Sequence, residues 1–283
     1  MIQILVTGAN GQLAQCLKTL TTNLEGYQFY FYSRNDFDIS DKAKVEAIFK
    51  TKNFSFCINC AAFTNVDTSE SNKETSDLIN HKAVYNLAVA CTQNNVKLIH
   101  VSTDFVFDGN QSLPYQETDK TNPLGVYGNS KLLGEKAIQN TLKAHYILRT
   151  SWLYSEFGNN FLKTMLRLAE TRPEIGVVFD QVGTPTYAVD LAALIISIIQ
   201  KDNDAFGVYH YSNEGVASWY DFAVAIFNLK NLNTKVLPIR SIQYPTPAKR
   251  PSFSVFDKQK VKHTFNVSIP HWRTSLEKCL QNV

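Results

Sequence analysis

A tyrosine and a lysine four residues apart, in Tyr127-Gly128-Asn129-Ser130-Lys131, open a stretch with helical periodicity, so both side chains project from one face. A phenol with a pKa near 10 is a weak proton-transfer partner at neutral pH, and an ammonium beside it favours phenolate and brings the transfer toward working pH. By itself this spacing is common on helix surfaces. Thr103, at the end of an earlier apolar run, adds a hydroxyl that can reach a carbonyl oxygen beside the tyrosine. The chemistry this set offers is proton transfer at a carbonyl oxygen.

A second chemical signal precedes it. Thr7-Gly8-Ala9-Asn10-Gly11-Gln12-Leu13-Ala14 follows the first apolar run and leads into a helical pattern, with Gly-x-x-Gly-x-x-Ala spacing. Glycine lets the backbone approach a pyrophosphate, and the free N–H groups and positive dipole end of the helix hold its charge. Such a loop is also an ordinary tight turn, but its position at a strand–helix junction favours a dinucleotide site. The second strand ends in Tyr32-Ser33-Arg34, without an acid there to bind both ribose hydroxyls of NAD. Arg34 is either a surface cation or a partner for a 2′-phosphate, so NADPH is favoured and NADH stays open. Asp38 and Ile39 are placed for contacts near the adenine, with a plain helix N-cap the competing role for Asp38.

The elements that must position these residues alternate. Ile2 to Thr7, Gln28 to Tyr32, Ser55 to Cys60, Lys97 to Ser102 and Tyr146 to Thr150 read as strands; Leu13 to Thr21, Lys42 to Thr51, Thr75 to Asn94 and Val126 to Thr141 read as helices. This predicts an α/β fold, a Rossmann-like doubly wound parallel sheet whose ligands lie at the carboxyl ends of its strands. After Thr150 the pattern predicts a helix over Phe161 to Glu170, a strand over Gly176 to Phe179, a helix over Ala188 to Gln200 and a strand over Gly207 to Ser212. Pro238, Pro245, Pro247, Pro251 and Pro270 then predict a smaller, loop-rich lobe. The expected division is a nucleotide-binding domain over 1–155, with returns to the sheet near 188–212, and a substrate-binding lobe over 156–187 and 213–283.

Composition excludes several classes. With 28 basic against 25 acidic residues, a net charge of +3 and 44% apolar residues, the chain reads as globular, without a polyanion-binding surface for nucleic acid. The longest apolar run, Leu191 to Ile199, is too short to cross a bilayer, and no secretory leader is visible, so the expectation is a cytoplasmic protein without membrane attachment. Cys16, Cys57, Cys60, Cys91 and Cys279 are odd in number and scattered, which fits reduced thiols. Cys57-x-x-Cys60 lies inside an apolar run with no second ligand pair, and no metal site is expected.

Together, the glycine loop, Ser102-Thr103-Asp104-Phe105-Val106-Phe107-Asp108-Gly109 and Tyr127-x-x-x-Lys131 resemble the extended short-chain dehydrogenases/reductases. More narrowly, the chain is similar over almost its whole length to the dTDP-4-dehydrorhamnose reductase family. Asn59-Cys60-Ala61-Ala62-Phe63-Thr64-Asn65-Val66-Asp67, Leu148-Arg149-Thr150-Ser151-Trp152-Leu153-Tyr154, Asp180-Gln181-x-Gly183-x-Pro185-Thr186 and Lys249-Arg250-Pro251 also match. The resemblance implies reduction of the C4 ketone of a dTDP-linked 4-keto-6-deoxyhexose to dTDP-L-rhamnose, in nucleotide-sugar and cell-surface polysaccharide synthesis. Tyr127 then matches the proton donor, Lys131 the residue that binds the nicotinamide ribose, and Thr103 the third member of the triad. Asp104 and Trp152 match substrate contacts, Gly8, Asn10, Gly11, Gln12 and Leu13 the pyrophosphate turn, and Ala61, Ala62, Phe63 and Thr64 a loop along the cofactor. Lys249 and Arg250 are placed either to pair with the substrate diphosphate or as solvated loop charges.

The chain departs from the family's pattern at Ala14, which replaces a common glycine, and at Ser33, where many relatives carry an acid. Cys16 stands where some relatives place an acid that binds magnesium, so a metal-bridged dimer is not expected, and the assembly is a monomer or a homodimer. Phe105 after Thr103-Asp104 replaces the glutamate that dehydratases of this fold use, and the epimerases' version of this segment is missing. The alternative of a different class is a non-catalytic dinucleotide-binding subunit resembling the methionine adenosyltransferase β subunit; an intact Thr103, Tyr127 and Lys131 set favours the enzyme.

Overall fold

Period-two alternation in the short apolar runs builds a sheet buried on both faces. Ile4, Val6, Phe56, Ile58, Ile99, Tyr146 and Leu148 join one core, while Leu5, Cys57, Leu98 and Ile147 join the other. The computed structural model describes residues 1–283. Its longer strands are β1 (Ile2–Thr7), β2 (Tyr27–Tyr32), β3 (Phe54–Asn59), β4 (Lys97–Thr103) and β5 (His145–Thr150). Short ones follow: β6 (Leu153–Tyr154), β7 (Glu174–Val178), β8 (Val182–Gly183), β9 (Thr186–Tyr187), β10 (Gly207–His210), β11 (Ala217–Ser218) and β12 (Lys235–Ile239). Six of them form one parallel sheet in the order β10-β5-β4-β3-β1-β2. The register sets Thr7 beside Asn59, Asn59 beside His100 and Thr103 beside Thr150, which aligns the strand ends along one edge.

The helices are α1 (Gln12–Thr21), α2 (Lys42–Thr51), α3 (Val66–Ser71), α4 (Lys73–Asp77), α5 (Ala83–Gln93), α6 (Val126–Thr141), α7 (Phe161–Ala169), α8 (Ala188–Lys201), α9 (Trp219–Leu229), α10 (Gln259–Phe265) and α11 (Trp272–Leu280). Residues of α1, α8 and α10 fill one core; residues of α2, α5 and α6 fill the other. A third core, with Tyr154, Leu162, Met165, Phe222, Ile226, Trp272 and Leu276, belongs to the second half of the chain. No helix is long and apolar enough to cross a membrane.

Three departures from the sequence pattern matter. The continuous helix expected over 75–94 is broken by a π turn at Leu78–Lys82, where Asn80 faces inward with no exposed surface. The region after 213 carries helices that the sequence pattern leaves unassigned, α9, α10 and α11, together with β12, while the Pro-rich stretch between Ile239 and Gln259 holds no α-helix. Val261 and Phe265 of α10 pack into the sheet's core instead of the third core.

Candidate active site

The strand ends open into a cavity of about 640 Å³. Asn10, Gly11, Gln12, Leu13, Ala62 and Thr64 line one side; Thr103, Asp104, Tyr127 and Lys131 the floor; Trp152, Trp219 and Arg250 the side toward the third core. Thus both ends of the predicted constellation, the glycine loop and the Tyr–Lys pair, face one space.

Tyr127 is the second residue of α6, and three contacts fix it. Glu70 Oε1 of α3 accepts the Val126 N–H at 2.9 Å, placing an acid at the helix's positive end. A Cβ on Gly128 would stand 2.1 Å from the Phe105 carbonyl oxygen, so only glycine lets the helix approach the turn after Thr103 this closely. The Tyr127 carbonyl accepts from Ser130 Oγ at 2.8 Å. Ser130 in turn accepts from Asn80 Nδ2, whose amide also bonds both backbone groups of Phe63 at 2.8 and 3.0 Å. The π turn therefore ties the 61–64 loop to the catalytic helix.

The electrostatics differ from the sequence expectation. Burial pushes the Tyr127 phenol up to about 12; a hydrogen bond with Thr103 pulls the other way and the Asp104 charge adds to the rise. Lys131 lies one turn further along α6. It is fully enclosed, donates to the Val101 carbonyl at 2.7 Å, and lies 3.2 Å from His100 Nε2. Burial lowers its pKa to about 8, against the raising charges of Glu135 and Cys60. Asp104 is 2% exposed and pushed up to about 6 by burial, with hydrogen bonding from Ser254 and Thr103 opposing. Its Oδ1 accepts from Thr103 Oγ1 at 3.0 Å, while Oδ2 has no partner.

The glycine loop fits a dinucleotide. Gly8 has φ +67°, and a Cβ there would lie 2.8 Å from the Ala61 backbone nitrogen. Gly11 caps α1 without a side chain, and no acid occupies the first turn, so the helix's first N–H groups lack a side-chain acceptor. Gln12 fixes the loop across the cleft through the Leu153 carbonyl, Ser155 and Asn160. Gly8 and Ala61 stand behind the cavity as each other's packing partners. Phe63 is held by its backbone, and Ile39 is a core residue at 4% exposure. At the end of β2, Arg34 is exposed and pairs with Asp38 at 3.3 Å. Asp38 accepts from Ser40, and the N-cap role falls to Asp41.

Arg250 is not a free cation: it binds Asp67 through two hydrogen bonds of 2.8 and 3.1 Å. Lys249 is exposed and outside the cavity. Trp152 sits at φ +46°, a strained conformation for a bulky residue, and stacks on Trp219 with ring centroids 3.6 Å apart. Trp219 and Arg250 also line a second cavity of about 380 Å³ bounded by α7, β7 and Tyr244. Trp219, His100 and Asn80 were not singled out by sequence reasoning, since none lies in the motifs and their roles arise from partners far along the chain.

Residues 2–283 match the family model described as the RmlD substrate binding domain. The dTDP-4-dehydrorhamnose reductase of Aggregatibacter actinomycetemcomitans is 40% identical, covering 98% of both chains. Among solved structures, the dTDP-4-dehydrorhamnose reductase of Bacillus anthracis in complex with NADP superposes with a TM-score of 0.96 at 36% identity, covering 100% of each chain. That of Clostridium acetobutylicum gives a TM-score of 0.95 at 38% identity and 99% of each chain.

Proposed function

Since the chain belongs to the RmlD substrate binding domain family, we propose that it reduces the C4 ketone of dTDP-4-dehydro-6-deoxy-L-mannose with NADPH, yielding dTDP-L-rhamnose for cell-surface polysaccharide synthesis. The observation that carries this reading is the convergence of Thr103, Tyr127, Lys131 and the uncapped start of α1 on one cavity.

When bound, NADPH supplies the hydride; Asn10, Gly11, Gln12 and Leu13 would hold its pyrophosphate, and Lys131 its nicotinamide ribose. Thr103 and Tyr127 hold the sugar's carbonyl oxygen. Reduction turns that oxygen into an alkoxide, a far stronger base than phenolate. A phenol kept protonated by burial is therefore suited to this direction: Tyr127 Oη gives its proton to the forming C4 hydroxyl. Trp152 offers an apolar face to the deoxysugar, and the second cavity, reached past Trp219 and Arg250, has room for the nucleoside end. NADPH is preferred because Arg34 can exchange Asp38 for a 2′-phosphate; the NADP complex of the Bacillus anthracis relative supports that choice.

The test is oxidation of NADPH and NADH by purified protein given this substrate, beside Tyr127→Phe. Turnover with NADPH that falls by roughly 10²–10⁴-fold in the variant is expected. Equal turnover by the variant removes Tyr127 as the acid, and none by the native chain removes the reading.

A further inference from the structure

His100 lies on β4 with no exposed surface, and its two ring nitrogens face different partners. Nδ1 is 3.0 Å from Asn59 Nδ2, and Nε2 is 3.2 Å from Lys131 Nζ. The orientation of the Asn59 amide is set from its other side. The Ala61 N–H, which can only donate, reaches Asn59 Oδ1 at 3.2 Å, and Thr7 Oγ1 donates to the same oxygen at 2.7 Å. The amide thus turns its NH₂ group to His100. Nδ1 must accept, so the one proton of a neutral imidazole sits on Nε2. An N–H aimed at Nζ opposes an ammonium and hydrogen-bonds an amine.

We infer that His100 is a positioning residue for Lys131: Asn59 fixes its tautomer, and the resulting Nε2–H opposes the ammonium, leaves the Val101 carbonyl as its acceptor, and eases the loss of a proton from the lysine. The chain of contacts starts at Thr7, immediately before the glycine loop, and ends at Lys131 in the lining of the cavity. Other groups facing Lys131 act in the opposite sense. Glu135, one turn on along α6, and the Cys60 thiol beyond β3 both favour the ammonium, and Glu135 is itself engaged by Arg149 at 2.7 Å and Ser102 at 2.5 Å. Tyr127, one turn earlier on the helix, is protonated over this range. His100 stays neutral, because burial and then the Lys131 charge hold its pKa well below 6.5.

The inference rests on Lys131 serving the reduction proposed above, and two readouts separate their failures. Nitrogen-15 NMR of the native chain, without substrate, is expected to find His100 protonated on Nε2 and accepting at Nδ1 from about pH 6 to 9. Protonation at Nδ1 overturns the inference and leaves the reductase reading untouched. In turnover, kcat is expected to fall as pH rises through about 8, as Lys131 loses its charge. His100→Phe keeps the ring's bulk and removes the donor, so that limb should move up by about one pH unit. A folded variant with the limb unmoved overturns the inference, as does a His100 tautomer unchanged in Asn59→Asp, which replaces the donor facing Nδ1 with an acceptor while keeping acceptors for Ala61 and Thr7.

Discussion

Asp104 carries a buried carboxylate oxygen with no partner in the lining of the cavity at the strand ends. An orphan acceptor of this kind costs about 1–3 kcal/mol, and a sugar hydroxyl that donates to it recovers that cost only in the complex. Asp104→Asn keeps the volume and alters the acceptor, so KM for the sugar nucleotide should rise about 10–100-fold, as expected for a hydrogen bond to a charged group. Cofactor affinity should hardly change. Titration of NADPH fluorescence together with steady-state kinetics separates the two; an unchanged KM would place the hydroxyls elsewhere. Arg34 permits a matching test at the other end of the cleft. Its only ion-pair partner is Asp38 and its side chain is 73% exposed, so Arg34→Ala should cost little stability. It should raise KM for NADPH about tenfold and leave KM for NADH near its native value, as loss of one charge-assisted phosphate contact requires.

At the scale of elements, the π turn at Leu78–Lys82 decides how the loop after β3 meets α6. Asn80→Ala removes three hydrogen bonds, one of them fully buried, and leaves the Phe63 backbone unpaired. Urea unfolding should register a loss of about 1–3 kcal/mol, and cofactor affinity should weaken because residues 61–64 are no longer held. A variant equally stable and equally tight would mean that the turn is incidental. The sequence pattern predicts α2 and α6 at their observed bounds, since caps and apolar spacing are local. It misses the π turn because the helical pattern runs through 75–94 unbroken, and what breaks it is a bond from Asn80 to a loop 17 residues away. The start of α9 is legible in the sequence: Ser218 and Asp221 form a capping box before Phe222, Ala223 and Ile226. His100 and the Asp67–Arg250 pair were not legible, because a strand histidine and a loop arginine acquire meaning only from partners that folding brings to them, 183 residues away in the second case.

Across the whole molecule, buried titratable groups couple folding to protons. His210 is held at about 3 by burial and then the Arg149 charge, and His100 is also lowered, so both stay neutral in the folded chain while an unfolded chain protonates them below about 6.5. For each, the unfolded state binds more protons as pH falls, which lowers stability by up to about 1.4 kcal/mol per pH unit. Asp104 acts in the reverse sense. Its folded pKa of about 6 lies above the unfolded 3.8, so from about pH 6 to 4 the folded chain carries a proton that the unfolded one lacks. Among these three groups one histidine is thereby offset. Denaturant midpoints measured from pH 7 to 4 should therefore decline less steeply than those of Asp104→Asn, in which the offset is absent. Equal slopes would mean that Asp104 ionises normally in the folded chain, which would also remove the physical basis for its role as an orphan acceptor in the cleft.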